Sequence, residues 1–236
     1  MQKDETVAGN LYLAIDTCGV TGTVALGCWA HGELRVLGQT ELEGRSVSST
    51  LIGAVGTLLA QAGIQLRVLS GMVVVSGPGS FTGVRVGLSA VKGLAEAAAL
   101  PLVAVSRLET MAVDGCAALD AHRHEVFLRL PAAEPRELLA GVAELARIDP
   151  PPVRIAVCDD AAAALLGEVW PLCQLLRVSP PAAAAALALG VPRLEAGERA
   201  DVARLDGHYL RRSDAEIFGA PPAPASDSAS QGPSRG

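Results

Sequence analysis

The spacing of apolar residues near the start of the chain predicts a small antiparallel sheet. Leu11–Thr17 and Gly22–Trp29 are apolar runs rich in β-forming residues, and apolar and polar residues alternate along Glu33–Thr40. Short stretches with turn-forming residues separate the three runs. We therefore expect a meander of three antiparallel strands, the first of which ends on a carboxylate.

Two helices with short buried strands are predicted to follow this meander. Apolar residues recur at helical spacing after a capping serine, Ser46 or Ser48, and continue to about Ala62. The next elements are expected to be a buried strand Met72–Val75, a helix from about Thr82 to Ala98, and a strand Leu100–Val105. The predicted order is therefore βββαβαβ.

The second half of the chain predicts a less regular α/β arrangement. We expect a helix at Val105–Ala112, paired strands at Gly115–Asp120 and Glu125–Leu130, a loop with one short helix at Pro131–Pro152, a buried strand at Val153–Val157, and helices at Ala161–Leu166 and Ala182–Leu189. The predicted organisation is a lead-in (1–9), a first subdomain (10–105), a reduced second subdomain (106–218) whose C-terminal segment can return to the first, and a disordered tail (219–236).

The composition and charge of the chain exclude several classes of protein. Half of the residues are hydrophobic, which excludes disorder throughout, and 19 cations against 25 anions give a net charge of −6. An acidic chain is a poor candidate for binding nucleic acid on its own. No apolar stretch approaches the roughly 20 residues of a membrane-spanning helix, and the N-terminus lacks the apolar core of a signal peptide. We expect a cytoplasmic protein whose five cysteines are reduced and mostly buried.

A glycine-rich segment joins the strand ending at Val75 to the following helix. Its sequence, GPGSFTGVRVG, has the wrong spacing for both the phosphate-binding P-loop and the dinucleotide fingerprint. So many glycines still indicate that a backbone comes close to something else. The candidates are a phosphate at the helix N-terminus or a second, tightly packed helix.

Residues that could carry chemistry are few. Asp16 ends the first strand, where it could serve as a catalytic or metal-binding carboxylate, or could simply cap the turn through Thr17 and Gly19. Asp120, His122 and His124 would share one face of a strand, but a solvated strand edge is the better explanation than a metal site. Weak nucleotide contacts would fall on Asp16, Thr17, Gly77, Gly79 and Ser80.

Several segments, in order and spacing, resemble the TsaB (YeaZ) family. They are LAIDTCGVTGTVALG, SGPGSFTGVRVGLSAVKGLA, PLVAVSRLETMA, LDAHRHEVF and HYLRRSDAE. The resemblance runs from about Leu11 to Glu216. It implies an α/β, actin/Hsp70-like (ASKHA) fold of two ribonuclease-H-like subdomains with mixed sheets.

The resemblance also implies a function. TsaB-like proteins support the catalytic paralogue TsaD, which with the ATPase TsaE attaches threonylcarbamoyl to the adenosine beside the anticodon of tRNAs that read ANN codons. The family implies a homodimer when alone, tRNA contacts mainly through partners, and no resident cofactor, although a nucleotide could sit at a subunit boundary. Arg107 and Met111 stand where the paralogue has two metal-binding histidines. We therefore expect no metal site and no catalysis, and the same two residues argue against a metallopeptidase.

Three positions depart from the family pattern. Cys18 replaces a serine after the first strand, Val47 replaces a histidine at the start of the first helix, and His124 occupies a position where the family has glycine. The change at Val47 leaves the detail of the family's interface open.

A partner-binding face is expected on the first two helices. Small residues on the second helix would let another helix approach, so Gly87→Arg is expected to block association and leave the chain folded. The alternative is that both helices only cover the sheet of their own subunit. The predicted interface residues are Ser48, Leu51, Val55, Leu58, Phe81, Thr82, Gly83, Arg85, Gly87 and Ala90.

The alternative function is an ASKHA-type ATP-binding phosphotransferase or ATPase. It would use Asp16 and the Gly77–Gly83 turn. A second phosphate loop of the DxGGT or DxGxT type is missing from the sequence, which counts against this function.

Overall fold

The first sheet follows the predicted order. A computed structural model describes residues 9–42, 47–132 and 136–210. Its first sheet has the strand order β3-β2-β1-β4-β5, with β1–β2–β3 antiparallel and β1–β4–β5 parallel. The strands are β1 Asn10–Asp16, β2 Gly22–Ala30, β3 Glu33–Leu42, β4 Gly71–Val75 and β5 Leu102–Val105. The meander and the βββαβαβ order are confirmed.

Helices cover both faces of this sheet, which is why β4 is an unbroken apolar run. Helices α1 (Val47–Gln61) and α2 (Phe81–Ala98) pack beside each other, and α5 (Ala183–Glu195) packs across β1, β2, β4 and β5. The side chain of Ser80 caps α2 by accepting a 3.2 Å hydrogen bond from the backbone N–H of Gly83.

The second sheet contains two strands that the sequence did not predict. Its order is β10-β9-β6-β7-β8, with β6–β7–β8 antiparallel and β9 and β10 parallel to β6 and β9, respectively. Its strands are β6 Ala117–Asp120, β7 Glu125–Leu130, β8 Arg136–Gly141, β9 Arg154–Val157 and β10 Gln174–Arg177, and its helices are α3 Val142–Leu145 and α4 Asp160–Val169. The predicted pairing of β6 with β7 is confirmed.

Two predictions for this half are wrong. Pro131–Pro152 is more than a loop with one helix, because β8 runs through it and pairs with β7. Val105–Ala112 is not a helix, since only Glu109–Met111 forms a 3-10 turn. The hydroxyl of Ser106 accepts the backbone N–H of Leu108 there, which supplies the chain with a turn in place of a helix.

The chain returns to the first sheet after the second. Helix α5 begins where the N–H of Ala183 donates to the Thr23 hydroxyl, and Gly190 packs on Val73 so closely that a Cβ would lie 2.5 Å from a Val73 methyl. We call residues 196–210 the C-terminal strap. It is held by hydrogen bonds from Ala200 N–H to Leu102 and from His208 N–H to Ser76.

Some predicted features lie outside the described residues. These are most of the lead-in, the capping position Ser46 and the tail 219–236. Within the described ranges, Cys18, Cys28 and Cys116 are buried, the other two cysteines are half-buried, and all five are free thiols. None of the helices in these ranges is long and apolar enough to cross a membrane.

Candidate functional site

The glycines just before and in the first turns of α2 pack against the turn between β1 and β2 of the same chain. A Cβ at Gly79 would lie closer than 3.0 Å to the carbonyl oxygen of Cys18, and one at Gly83 or Gly87 would lie that close to an oxygen of Thr17. Real Cβ atoms essentially never come so close. The close approach indicated by the sequence is therefore real, but it is made by this turn and not by a second helix.

Hydrogen bonds lock this turn onto the helix. The N–H of Ser80 donates to the Cys18 carbonyl over 2.9 Å, and the Thr17 hydroxyl donates to the Gly83 carbonyl over 2.6 Å. Thr17 and Cys18 are both buried. The contacts of Gly83 and Gly87 lie within the chain, so Gly87→Arg would disturb the fold of the chain itself. The role of these glycines in partner binding stays a prediction.

Asp16 lies buried beneath the turn and caps it. One carboxylate oxygen accepts the backbone N–H of Cys18 over 2.8 Å, and the other lies 3.9 Å from Nε of Arg107. Burial raises the pKa of Asp16, while the positive charge of Arg107 opposes that rise. Asp16 therefore makes the contacts of a residue that caps a turn, which was one of its two predicted roles. The positive charge of Arg107 compensates the negative charge of its carboxylate.

The residues suggested for nucleotide contact do come together, but the chain packs against them. Gly79 lies on Cys18, and a Cβ on Gly77 would lie 2.9 Å from the carbonyl oxygen of His208 in the strap. The N–H of Arg107 donates to the Gly77 carbonyl over 2.6 Å. Cys18 and His208 therefore occupy the space beside Gly79 and Gly77 where a phosphate would have to bind.

The apolar side of α1 belongs to the core of the chain. Leu51, Val55 and Leu58 are buried against the first sheet. The alternative, a helix that covers the sheet of its own subunit, accounts for their burial, and their role as partner contacts stays a prediction. The outward side of α1 carries Ser48 and Ile52, whose side chains are exposed, Ile52 by 52%.

The start of α2 presents a polar and aromatic surface. Phe81, Thr82 and Arg85 are exposed, whereas Ala90 is half-buried. The guanidinium carbon of Arg85 lies 3.8 Å from the centre of the Phe81 ring, which is cation–π geometry. We name the exposed residues Ser48, Ile52, Phe81, Thr82 and Arg85 the α1–α2 face. Arg85 is its one charged member.

A polar cleft of about 690 Å³ separates the two sheets. Oε2 of Glu137 on β8 accepts a hydrogen bond from Ser106 (2.7 Å) and lies 2.9 Å from Nε2 of His208, while Oε1 accepts a hydrogen bond from Arg129 (2.5 Å). Burial alone would raise the pKa of Glu137, but the bonds from His208, Ser106 and Arg129 outweigh it and lower the pKa. The strap and both sheets therefore meet at one carboxylate.

The candidate metal positions hold no ligand cluster within the described ranges. Arg107 points at Asp16, and Met111 is buried in a small apolar cluster with Leu108 and Leu119. His122 and His124 were expected on a strand but lie with Arg123 in the exposed turn after β6, where all three have left-handed φ near +60°. His122 contacts the Asp120 carboxylate over 2.9 Å.

Comparisons with known proteins match a TsaD family model and curated TsaB proteins. The family model described as TsaD, tRNA N6-adenosine threonylcarbamoyltransferase, matches residues 41–129. The tRNA threonylcarbamoyladenosine biosynthesis protein TsaB of Escherichia coli is 36% identical over 124 residues, 49% of this chain and 52% of that protein. TsaB of Bacillus subtilis is 40% identical over 105 residues, 44% of each chain.

A solved structure extends the similarity to most of the fold. YeaZ from Pseudomonas aeruginosa superimposes with a TM-score of 0.62 and 28% identity, covering 85% of this chain and 100% of that chain. The chain spans about half the length of the curated TsaB proteins it matches.

The two mixed sheets and these similarities define a protein of the actin/Hsp70-like (ASKHA) class. Helices α1 and α2 lie on one side of its first sheet and α5 packs across the same sheet. The chain belongs to the TsaB/YeaZ family.

Proposed function

We propose that this chain is a non-catalytic subunit of the machinery that forms threonylcarbamoyladenosine in tRNA. In this proposal it binds and supports a TsaD-like catalytic subunit in the cytoplasm, works with a TsaE-like ATPase, and forms a homodimer when alone. The modification is made beside the anticodon of ANN-decoding tRNAs, which bind mainly through the partners. The names of the TsaB relatives support the process.

The observation that carries the subunit role is the exposed α1–α2 face. Helix α1 contains no charged residue from Val47 to Gln61, yet Ile52 is half exposed on it. Phe81 is exposed on the neighbouring helix with a guanidinium stacked on its ring. Exposed aromatic and Arg side chains of this kind are enriched among the residues that contribute most to protein–protein binding.

The packing of the glycine segment supports the proposal that the subunit is not catalytic. Asp16, which an ATP-using enzyme would need for its chemistry, is buried, caps a turn and is compensated by Arg107. The glycines that would cradle a phosphate lie against Cys18 and the strap. Calorimetry with ATP and magnesium on the isolated chain tests this point, because tight binding with turnover would favour an ATPase instead.

A charge placed on the face tests the subunit role. Ile52→Glu should weaken binding to the catalytic subunit at least tenfold in titration calorimetry, because it buries a carboxylate against apolar surface. The same variant should also reduce tRNA threonylcarbamoylation in the reconstituted system. Leu172→Glu is the matched control, since Leu172 is 98% exposed on the second subdomain. Equal effects of the two variants, or no binding by the unaltered chain, would contradict the proposal.

A further inference from the structure

The C-terminal strap brings a second aromatic side chain onto the start of α2. The rings of Tyr209 and Phe81 lie 5.2 Å apart at an interplanar angle of 46°, within the range of favourable aromatic pairs. Nε of Arg85 donates a 3.4 Å hydrogen bond to the Tyr209 hydroxyl. Phe81, Arg85 and Tyr209 thus form one cluster, which we call the Tyr209 cluster.

The exposure of this cluster is unusual for the chain. Aromatic residues make up only 3% of the sequence. Of the six aromatic residues in the described ranges, four are buried or half-buried, and the two exposed ones are Phe81 (39%) and Tyr209 (36%). The two touch each other although they lie 128 positions apart in the chain. Their pairing needs the strap to follow its observed path.

Gly207 holds the Tyr209 ring in place. The backbone N–H of Tyr209 donates to the Gly207 carbonyl over 3.0 Å, which folds the side chain back over the glycine. A Cβ on Gly207 would lie 2.5 to 2.7 Å from three atoms of the Tyr209 side chain, two of the ring and the hydroxyl oxygen. Glycine is therefore the residue that leaves room for the ring to lie beside Phe81.

We propose that Tyr209 is part of the partner-binding surface, so that the strap completes the α1–α2 face. This inference rests on the proposed function. The occupant is a helix of the TsaD-like subunit that carries aliphatic side chains and one carboxylate. The aliphatic side chains cover Ile52 and the two rings, while the carboxylate pairs with Arg85.

Charge complementarity favours this occupant over a second copy of the chain. The α1–α2 face is positive through Arg85 and has no carboxylate among its members, although the whole chain has a net charge of −6. A two-fold contact centred on the Tyr209 cluster would bring two Arg85 guanidinium groups together, which is unfavourable. A partner carboxylate would instead pair with Arg85 without displacing it from the Phe81 ring.

The alternative is that Tyr209 only fastens the strap to the body of the protein. Binding and stability measurements on the same variants separate the two roles. Tyr209→Ala should weaken binding of the catalytic subunit roughly tenfold or more, since truncation of an anchoring tyrosine commonly has such an effect. Tyr209→Phe should stay within about threefold, because it keeps the ring and loses only one long hydrogen bond.

Gly207→Ala keeps every side chain of the cluster but displaces the ring. It should weaken binding by about fivefold or more with a melting temperature close to that of the unaltered chain, because only a side chain has to move. Arg85→Gln should weaken binding and also flatten its dependence on salt, since the proposed ion pair is lost. Leu172→Ala, on the second subdomain, is the control and should bind normally.

The outcomes distinguish this inference from the proposed function. If Ile52→Glu abolishes binding while Tyr209→Ala and Gly207→Ala bind as tightly as the unaltered chain, the strap is not part of the surface and the inference fails alone. If the unaltered chain does not bind the catalytic subunit, both fail. A Tyr209→Ala variant that melts lower but binds normally shows the fastening role and overturns the inference.

Discussion

The two subdomains form their sheets from different kinds of sequence. The central strands of the first sheet are largely apolar runs, and the turn between β1 and β2 is packed against glycines at the start of α2. The second sheet has shorter strands, and its turns place four non-glycine residues in the left-handed region that favours glycine, namely Asp114, His122, Arg123 and His124. The first subdomain has two such residues, His31 and Ala99. The first subdomain is therefore built on close backbone approach at glycines, whereas the second has more non-glycine residues in strained turns.

The largest expected effect comes from filling the glycine contact in the first subdomain. Gly83→Ala should lower the free energy of unfolding by about 3 kcal/mol, because a Cβ would collide with the backbone of Thr17. Denaturant titration measures the change.

Gly93→Ala is the matched control for that experiment. Gly93 lies on the same helix with open space around its Cβ position. The substitution should raise stability by about 0.5–1 kcal/mol, because alanine is the better helix former. Similar losses at both positions would show that the contact with Thr17 does not set the packing.

An intermediate effect is expected at the junction of the two subdomains. Glu137→Gln should cost about 2 kcal/mol at pH 7, because the charged hydrogen bonds from Arg129 and Ser106 weaken. The folded-state pKa of Glu137 is lowered, so the carboxylate stabilises the fold above its unfolded pKa near 4.5, and this contribution is lost as the pH falls through the lower, folded value.

The difference between Glu137→Gln and the unaltered chain should therefore shrink below about pH 4.5. Unfolding titrations at a series of pH values measure it. A difference that stays constant down to pH 3 would mean that the ionised carboxylate does not link the subdomains.

The smallest effect is expected in the strained turn of the second subdomain. His124→Gly should raise the free energy of unfolding by about 1 kcal/mol, since φ of His124 is +58° and glycine adopts that value without a Cβ clash. Thermal unfolding followed by circular dichroism measures the gain. Ala121→Gly, at a buried position of ordinary φ three residues earlier, should instead lose stability. If both variants lose stability, the left-handed backbone of His124 is not a source of strain in this turn.

The sequence predicted the first sheet well because burial on both faces leaves a pattern that few other structures share. Met72–Val75 is such a run, because helices cover both faces of the sheet at this strand. The second sheet was harder to predict. Arg136–Gly141 lacks a clear alternation, and the apolar residues of Val105–Ala112 suggest a helix where local hydroxyl hydrogen bonds form turns.

The candidate site was predicted only in part, for a different physical reason. Phe81, Thr82, Arg85 and Ser48 are exposed as a partner surface requires, but the small-residue pattern at Gly83 and Gly87 does not say which backbone comes close. Tyr209 could not be placed, because its contact with Phe81 depends on the path of a strap that forms neither helix nor strand. The segment HYLRRSDAE was the one sequence signal for it.

The return of α5 to the first sheet has a consequence for synthesis on the ribosome. The second sheet lies between β5 and α5 in the chain, so the first subdomain is interrupted by it. Leu187, Gly190 and Val191 reach their places on the first sheet only after the intervening residues have left the exit tunnel. Until then one apolar face of that sheet has no cover, and the order of translation makes the second subdomain the first that can be completed.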